Sequence, residues 1–137
     1  SQLARDSPDN YPRLHATGVD TSLGALLAHA DPTVRAKACN LVGNFCRHSS
    51  FFYASFRERR PRAGRRSVAD HLARLCADPD PSTRKLACFA VGNAAFHSNT
   101  LYAHLAPAVA PLVMALGDPN ERTRANAAGA LGNLVRN

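Results

Sequence analysis

A Gly-Asn pair recurs three times in this chain, and each pair ends a longer pattern that is itself repeated. In every copy an Arg stands eight residues before the Gly, and an Ala stands five residues before it. The three pairs are Gly43-Asn44, Gly92-Asn93 and Gly132-Asn133. A self-similar period of about forty residues indicates a helical solenoid, whose units stack because none can bury its apolar face alone. The repetition predicts a stacked array and favours binding of an extended partner over catalysis.

The residues before each Gly-Asn pair carry helix-start signals. Asp31-Pro32 and Asp80-Pro81 lead directly to an Arg, whereas Asp118-Pro119 reaches its Arg through two extra residues. The repeated cations are Arg35, Arg84 and Arg124. An Asp at a helix start interacts favourably with the exposed backbone N–H groups and the helix dipole. We therefore expect a structural role for these Asp residues, with the Arg side chains pairing across repeats; a phosphate-binding series is the alternative.

Each unit divides into three predicted helices, and the last unit shows them most clearly. Residues 99–105 and 107–116 form the first two, and residues 121–135 form a longer third helix. The middle unit fits the same frame, with helices at about 50–56 and 67–76. Apolar and small residues at three- and four-residue spacing predict one buried face on the third helix. The residues of that face are Ala127, Ala128, Ala130, Leu131, Leu134 and Val135.

Three helices per unit favour the armadillo pattern over the two-helix HEAT pattern. Gly18 and Pro107 occupy matching places between the first and second helices. The sequence predicts an all-α fold, an armadillo-type right-handed superhelical solenoid of about three three-helix repeats. The predicted repeat limits are 9–47, 48–96 and 97–137, and residues 1–8 are the tail of a preceding unit or disordered.

The positive charge is concentrated in one segment. The chain has a formal charge of +7, and residues 57–66, with six Arg and one Glu, account for +5 of it. The cations of this basic segment are Arg57, Arg59, Arg60, Arg62, Arg65 and Arg66. Like charges together with Pro61 and Gly64 predict a mobile loop. Three interpretations stay open: a solvated insertion, contact with an acidic surface such as tubulin tails, or contact with nucleic acid, which the lack of interleaved aromatics disfavours.

The sequence offers no pattern for catalysis, metal binding or membrane insertion. The four Cys lie on apolar faces without metal-ligand spacing, which predicts a free, buried position in a reducing, intracellular setting. Ser, His and Asp form no recognisable catalytic constellation, and the repeat-equivalent His48 and His97 suit caps or turn hydrogen bonds. No apolar run approaches the ~20 residues that span a bilayer. We therefore predict a non-enzymatic segment with no cofactor, no metal and no membrane contact.

Three runs of this sequence resemble the C-terminal armadillo region of Fused-type serine/threonine protein kinases. They are DPTVRAKACNLVGNFCRHSSFFYASF, ADPDPSTRKLACFAVGNAAFHSNTLYAHL and TRANAAGALGNLVRN. The resemblance covers about residues 20–137 apart from the basic segment. It implies a parent protein with an N-terminal kinase domain. The glycine-rich loop, HRD and DFG motifs of that domain are absent from this sequence, so no kinase activity resides in it.

The resemblance also implies a cellular setting. Fused-type kinases are microtubule-associated, so it implies a protein-interaction scaffold located on the cytoplasmic cytoskeleton, most specifically in the central apparatus of the ciliary or flagellar axoneme. The implied partners are proteins, including a kinesin and axonemal or other microtubule-associated proteins. The alternatives from other classes are an armadillo cargo-peptide adaptor and a nucleic-acid-binding solenoid that acts through the basic segment.

The Asn residues of the Gly-Asn pairs are the candidates for a binding groove. They are Asn44, Asn93 and Asn133, and we call them the Asn series. In nuclear-import armadillo proteins the matching Asn side chains hold the backbone of an extended peptide beside a Trp four residues earlier. Here those positions are Asn40, Phe89 and Gly129, so the Trp is missing. Two interpretations stay open: the Asn series holds a partner's backbone, or it fixes register between neighbouring repeats.

Overall fold

A computed structural model describes residues 10–47, 49–59, 66–97 and 99–136. Within these ranges the chain forms nine α-helices and no strand, which confirms the all-α prediction. The first set of three is α1 (Tyr11–Ala16), α2 (Val19–Leu27) and α3 (Pro32–Arg47). The second is α4 (Tyr53–Phe56), α5 (Val68–Leu75) and α6 (Pro81–Ala94). The third is α7 (Tyr102–Leu105), α8 (Val109–Ala115) and α9 (Glu121–Leu134).

The first helices of the sets are shorter than the sequence predicts. Tyr53 begins α4, because a turn occupies the preceding residues, with the Ser50 carbonyl accepting a hydrogen bond from the Tyr53 N–H at 3.0 Å. Two 3₁₀ segments, Asn99–Leu101 and Ala106–Ala108, flank α7. Gly18 has φ of 75° in the left-handed region, which glycine adopts without strain, and it reverses the chain between α1 and α2.

The helix starts correct the predicted alignment of the third repeat. Asp80 accepts a hydrogen bond from the Thr83 N–H at 2.8 Å, and Asn120 accepts one from the Thr123 N–H at 3.1 Å. The capping residue of the third set is thus Asn120, not Asp118. When Asn120 is aligned with Asp31 and Asp80, each of these residues lies four residues before its Arg. The third repeat then has no insertion of two residues. Asp118 corresponds instead to Asp78.

The core is continuous through the three sets. Leu23, Leu72 and Leu112 occupy equivalent positions on the second helices, and each is at most 1% exposed. The four Cys are buried free thiols, which confirms their predicted place in the core. Burial raises the pKa of the Cys39 thiol to about 12, because the thiolate would lose its hydration.

The predicted apolar face of α9 is only partly buried. Ala127 and Ala130 are fully buried, whereas Ala128 is exposed and Val135 is 75% exposed. Repeat-equivalent Cys39 and Cys88 are buried because the next set packs against them. No helix of the described residues packs against the corresponding side of α9, so the prediction was wrong for Ala128 and Val135.

Several predicted features lie outside the described residues: the tail at 1–8, His48, and Arg60, Arg62 and Arg65 of the basic segment. The remaining cations of that segment, Arg57, Arg59 and Arg66, are exposed. The repeat limits at 9–47, 48–96 and 97–137 stay a prediction.

Candidate functional site

The Asn series connects successive third helices. The Asn93 Nδ2 donates a hydrogen bond to the Gly43 carbonyl at 2.9 Å, and the Asn133 Nδ2 donates one to the Gly92 carbonyl at 2.9 Å. Asn44 is 3% exposed, whereas Asn93 and Asn133 are half-buried. The second and third Gly-Asn pairs therefore each supply a donor to the repeat before them, and the first and second pairs each supply an acceptor to the repeat after them.

A tyrosine from the first helix of each set donates a hydrogen bond to the backbone of the Asn series. The hydroxyls of Tyr53 and Tyr102 each donate to the backbone carbonyl of the Asn in their own set at 2.8 Å, and Tyr11 does so at 3.3 Å. Burial raises the pKa of Tyr53, so the phenol remains a donor. The sequence aligns Tyr53 with Tyr102 because a His-Ser pair begins five residues before each of them, and it misses Tyr11 because no His-Ser pair precedes that residue.

The repeated Arg residues form a second series of contacts between sets. Arg35 donates from Nε and Nη2 to the two carboxylate oxygens of Asp78, both at 3.0 Å, and Arg84 Nε donates to Asp118 at 2.8 Å. Their Nη1 atoms, and that of Arg124, donate to backbone carbonyls of the preceding turn. Arg35 and Arg84 thus pair across repeats as the sequence suggested, whereas the bonds of Arg124 to the preceding turn stay within its own set.

The repeat pattern identifies Asp118 but not Asp78, because two Asp-Pro dipeptides stand side by side at residues 78–81. Asp78 and Asp118 each lie six residues before an Arg and precede a Pro, and that spacing could have identified them. Burial acts to raise the pKa of Asp118, but the Asn120 N–H and the Arg84 guanidinium outweigh it, so this pKa lies below its ordinary value. The hydrogen bonds that Arg35 donates to Asp78 raise the pKa of Arg35, because they stabilise the charged guanidinium.

Two adjoining cavities run along α6 and α9, and we call them together the third-helix groove. Their volumes are about 300 Å³ and about 170 Å³, and they share Phe89, Ala125 and Asn126. The larger cavity is also lined by Asn40, Lys85, Leu86 and Arg122. The smaller is also lined by Cys88, Gly92, Asn93, Gly129, Ala130 and Asn133. Two members of the Asn series therefore lie at the groove.

Phe89 and Gly129 occupy equivalent positions in the groove but shape it differently. The Phe89 ring lies against Gly43 so closely that a Cβ built there would stand 2.6 Å from the ring's Cδ2. At Gly92 the nearest atoms to such a Cβ belong to Ala130, at 3.7 Å, because Gly129 has no side chain to cover it. The smaller cavity thus lies where the preceding repeat holds an aromatic ring.

A Ser, an Asp and a His do meet elsewhere, between α1, α2 and α4. Asp20, 1% exposed, accepts a hydrogen bond from the Ser55 hydroxyl at 2.6 Å through Oδ2, which lies 3.1 Å from His15 Nδ1. The Asp stands between the other two residues, whereas nucleophile activation requires the His to contact the Ser hydroxyl. This cluster therefore joins the sets and is not a catalytic triad.

The described residues contain no group of three or more His, Cys, Asp or Glu arranged to hold a metal ion. None of the helices that the structure describes is long and apolar enough to cross a membrane. His97 Nε2 lies 2.8 Å from the carbonyl of Arg47, the last residue of α3, so it contacts a helix end of the preceding set and not a turn of its own.

Part of this chain matches a known repeat family, and its fold matches solved structures. Residues 106–136 match the Armadillo/beta-catenin-like repeat family. A designed armadillo repeat protein in complex with the peptide (KR)4 has 26% identity and a TM-score of 0.82, over 97% of this chain and 54% of that one. The crystal structure of an engineered protein gives 21% identity and a TM-score of 0.84, over 97% and 52%. The chain thus spans about half the length of the solved structures it matches.

One curated protein that part of this chain is similar to is a kinase. A stretch of 51 residues, 37% of this chain, is 44% identical to serine/threonine-protein kinase TIO of Arabidopsis thaliana and spans 4% of that protein. This is the enzyme class of the Fused-type family that the sequence resembles. The repeat match and the structural neighbours together show the fold: the chain is an all-α armadillo solenoid, a non-catalytic architecture suited to protein interaction.

Proposed function

We propose that this chain is a non-catalytic protein-interaction segment of a Fused-like serine/threonine kinase, and that an extended segment of a partner protein binds in the third-helix groove. The observation that carries the proposal is the groove itself. It follows two successive third helices and combines amide side chains, cations and one aromatic face. An extended chain offers backbone amides and alternating side chains, which such a surface can bind in sequence.

The contacts of the Asn series are compatible with both of its suggested roles. Asn93 and Asn133 each use one N–H bond to reach the preceding repeat. A primary amide has two N–H donors and a carbonyl acceptor, so each retains groups that can hold a peptide backbone. Both side chains are half-buried and line the smaller cavity. One residue can therefore fix register and contact a partner.

An unbiased peptide array would test the groove. We expect purified protein to retain a set of extended peptides, and Phe89→Ala and Arg122→Ala to weaken each of them about tenfold, the loss that well-placed interface residues produce. Arg13→Ala, an exposed cation on α1, is the matched control and should leave affinity unchanged. An array without binders, or binding indifferent to both groove variants, would refute the proposal.

The cellular role we propose is a scaffold on microtubules, in the central apparatus of the ciliary axoneme. Its support is the resemblance to Fused-type kinases together with the 44% identity to a plant serine/threonine kinase over 51 residues. The proposed partners are a kinesin and axonemal or other microtubule-associated proteins. Imaging of the tagged parent protein tests this role, and absence from every microtubule array in dividing and ciliated cells would contradict it.

Two other functions remain alternatives. A cargo-peptide adaptor is suggested by the similarity to a designed armadillo protein in complex with (KR)4. Lys85 and Arg122 line the present groove, however, and they repel basic peptides. A nucleic-acid-binding solenoid would act through the basic segment at 57–66, so deletion of that segment should abolish binding; unchanged affinity would exclude this mechanism.

A further inference from the structure

The charge of the third-helix groove limits what can bind in it. Lys85, on α6, and Arg122, on α9, line the larger cavity. None of the described residues that line either cavity has a carboxylate. The Lys85 backbone carbonyl accepts a hydrogen bond from Asn126 Nδ2 at 3.1 Å, which holds α9 against α6 at this point. The two cations therefore lie on a fixed pair of helices and attract anionic groups.

The shape of the groove adds a second restriction. Between α3 and α6 the protein fills the space over Gly43 with its own Phe89 ring. Between α6 and α9 no ring fills the equivalent space over Gly92, because Gly129 has no side chain, and a cavity of about 170 Å³ lies there beside Ala130. Its lining is mostly small, and a Cβ added at Gly129 meets nothing within 4 Å. The contact between Phe89 and Gly43 thus shows that an aromatic ring fits against the backbone of a third helix at this position.

We infer that the groove binds an acidic extended peptide that inserts one aromatic or large aliphatic side chain over Gly92 and Gly129. The inserted side chain replaces the missing ring and packs beside Phe89, while flanking carboxylates pair with Lys85 and Arg122. Aromatic side chains in well-packed pockets contribute much of the affinity in protein interfaces, and charge complementarity determines which peptides reach the site. This inference rests on the proposed function, because it assumes that the groove is the binding site.

Three labelled peptides measured by fluorescence anisotropy would test the inference on the folded protein. They are EEEEFEEEE, the same peptide with a central Ala, and its basic counterpart KKKKFKKKK. We expect the first to bind tightest, with affinity that falls as salt rises because the charge pairs are screened. Replacing its Phe by Ala should cost about tenfold, since the aromatic anchor is lost. An acidic peptide that binds no better than the basic one would overturn the inference.

Matched variants separate the anchor from the charges. Gly129→Phe should fill the empty space as Phe89 does and weaken EEEEFEEEE about tenfold. Gly132→Phe is its control, because Gly132 lies on the same helix in open space but lines neither cavity. Lys85→Glu with Arg122→Glu should cost at least about tenfold. Arg13→Glu should cost nothing. Circular dichroism melts of all variants identify any that fail to fold.

The outcomes distinguish failure of the inference from failure of the proposed function. If the peptide array gives binders sensitive to Phe89→Ala, but they are basic or lack an apolar anchor, the groove function stands and the acidic occupant is wrong. Unchanged affinity in a folded Gly129→Phe variant also overturns the anchor. If the array gives no groove-dependent binder, the proposed function fails together with the inference.

Discussion

The junction between α3 and α6 and the junction between α6 and α9 share their internal bonds but not their surfaces. In both, an Asn amide donates to a Gly carbonyl at 2.9 Å, and a Tyr hydroxyl supports that Asn from the same repeat. In the first junction the Phe89 ring covers Gly43, whereas in the second no ring covers Gly92 and the nearest atoms to a Cβ built there belong to Ala130, at 3.7 Å. The bonds that fix register are repeated, and the groove residues vary, so the varied positions are where recognition is to be sought.

The ion pairs of the two junctions also differ. Arg35 contacts both oxygens of Asp78, whereas Arg84 contacts Asp118 through Nε. The Arg84 side chain is 22% exposed and that of Arg35 is 16% exposed. Each Asp also accepts a backbone N–H from two residues further along, at 2.9 Å. A fork-to-fork pair has two charge-assisted bonds and a fixed geometry, so the first junction should depend more on its carboxylate.

The largest effect we predict is from Asp78→Ala. It removes two bonds to a cation and one to a backbone N–H, and hydrogen bonds to charged groups contribute about 1.5–3 kcal/mol. We expect the free energy of unfolding to fall by about 3 kcal/mol, against about 2 kcal/mol for Asp118→Ala. Urea denaturation measures both, with Arg13→Met as a surface control within about 0.5 kcal/mol. Equal losses for the two Asp variants would contradict the difference drawn between the junctions.

A smaller and equal effect is expected from Asn93→Ala and Asn133→Ala. Each removes one amide donor from a Gly carbonyl in the same geometry, at a cost of about 1–2 kcal/mol. Asn40→Ala, an exposed change on α3, is the control and should stay within about 0.5 kcal/mol. Thermal melts of the three variants would show this order. Wild-type stability in Asn93→Ala would mean that the amide serves only the partner, and the register role would be withdrawn.

Much of the fold could be predicted because its signals are local and repeated. The Gly-Asn pairs and Asp-Pro turns recur at spacings that a single sequence reveals, and the third helix of the last set, predicted over residues 121–135, ends at Leu134. The first helices could not be placed as well. They have one turn each after Tyr53 and Tyr102, and a segment this short has little periodicity to detect.

The groove was less predictable than the fold, for a physical reason. The Asn series could be identified because it repeats, but its bonds join residues 41 and 50 positions apart, and no local rule relates such positions. The empty space over Gly92 depends on the absence of a side chain at Gly129. From the sequence, Gly129 indicates only that the Trp of nuclear-import armadillo proteins is missing. It does not show that the Phe89 ring packs over Gly43 while no ring packs over Gly92.

The smallest effect we predict concerns the glycines of the first two Gly-Asn pairs, Gly43 and Gly92. Gly92→Ala adds a Cβ at ordinary contact distance from Ala130 and should stabilise α6 by about 0.5–1 kcal/mol, because Gly is the poorer helix former. Gly43→Ala should lose that gain, since its Cβ displaces the Phe89 ring. In a Phe89→Ala background the obstacle is gone, and Gly43→Ala should then gain as Gly92→Ala does. Thermal melts of Gly92→Ala, Gly43→Ala, Phe89→Ala and the Gly43→Ala/Phe89→Ala double variant measure these effects. An equal gain for both glycines in the wild-type background would show that the Phe89 ring does not pack closely over Gly43. The two junctions would then not differ in having or lacking a ring, and the argument for an unfilled space over Gly92 would fail.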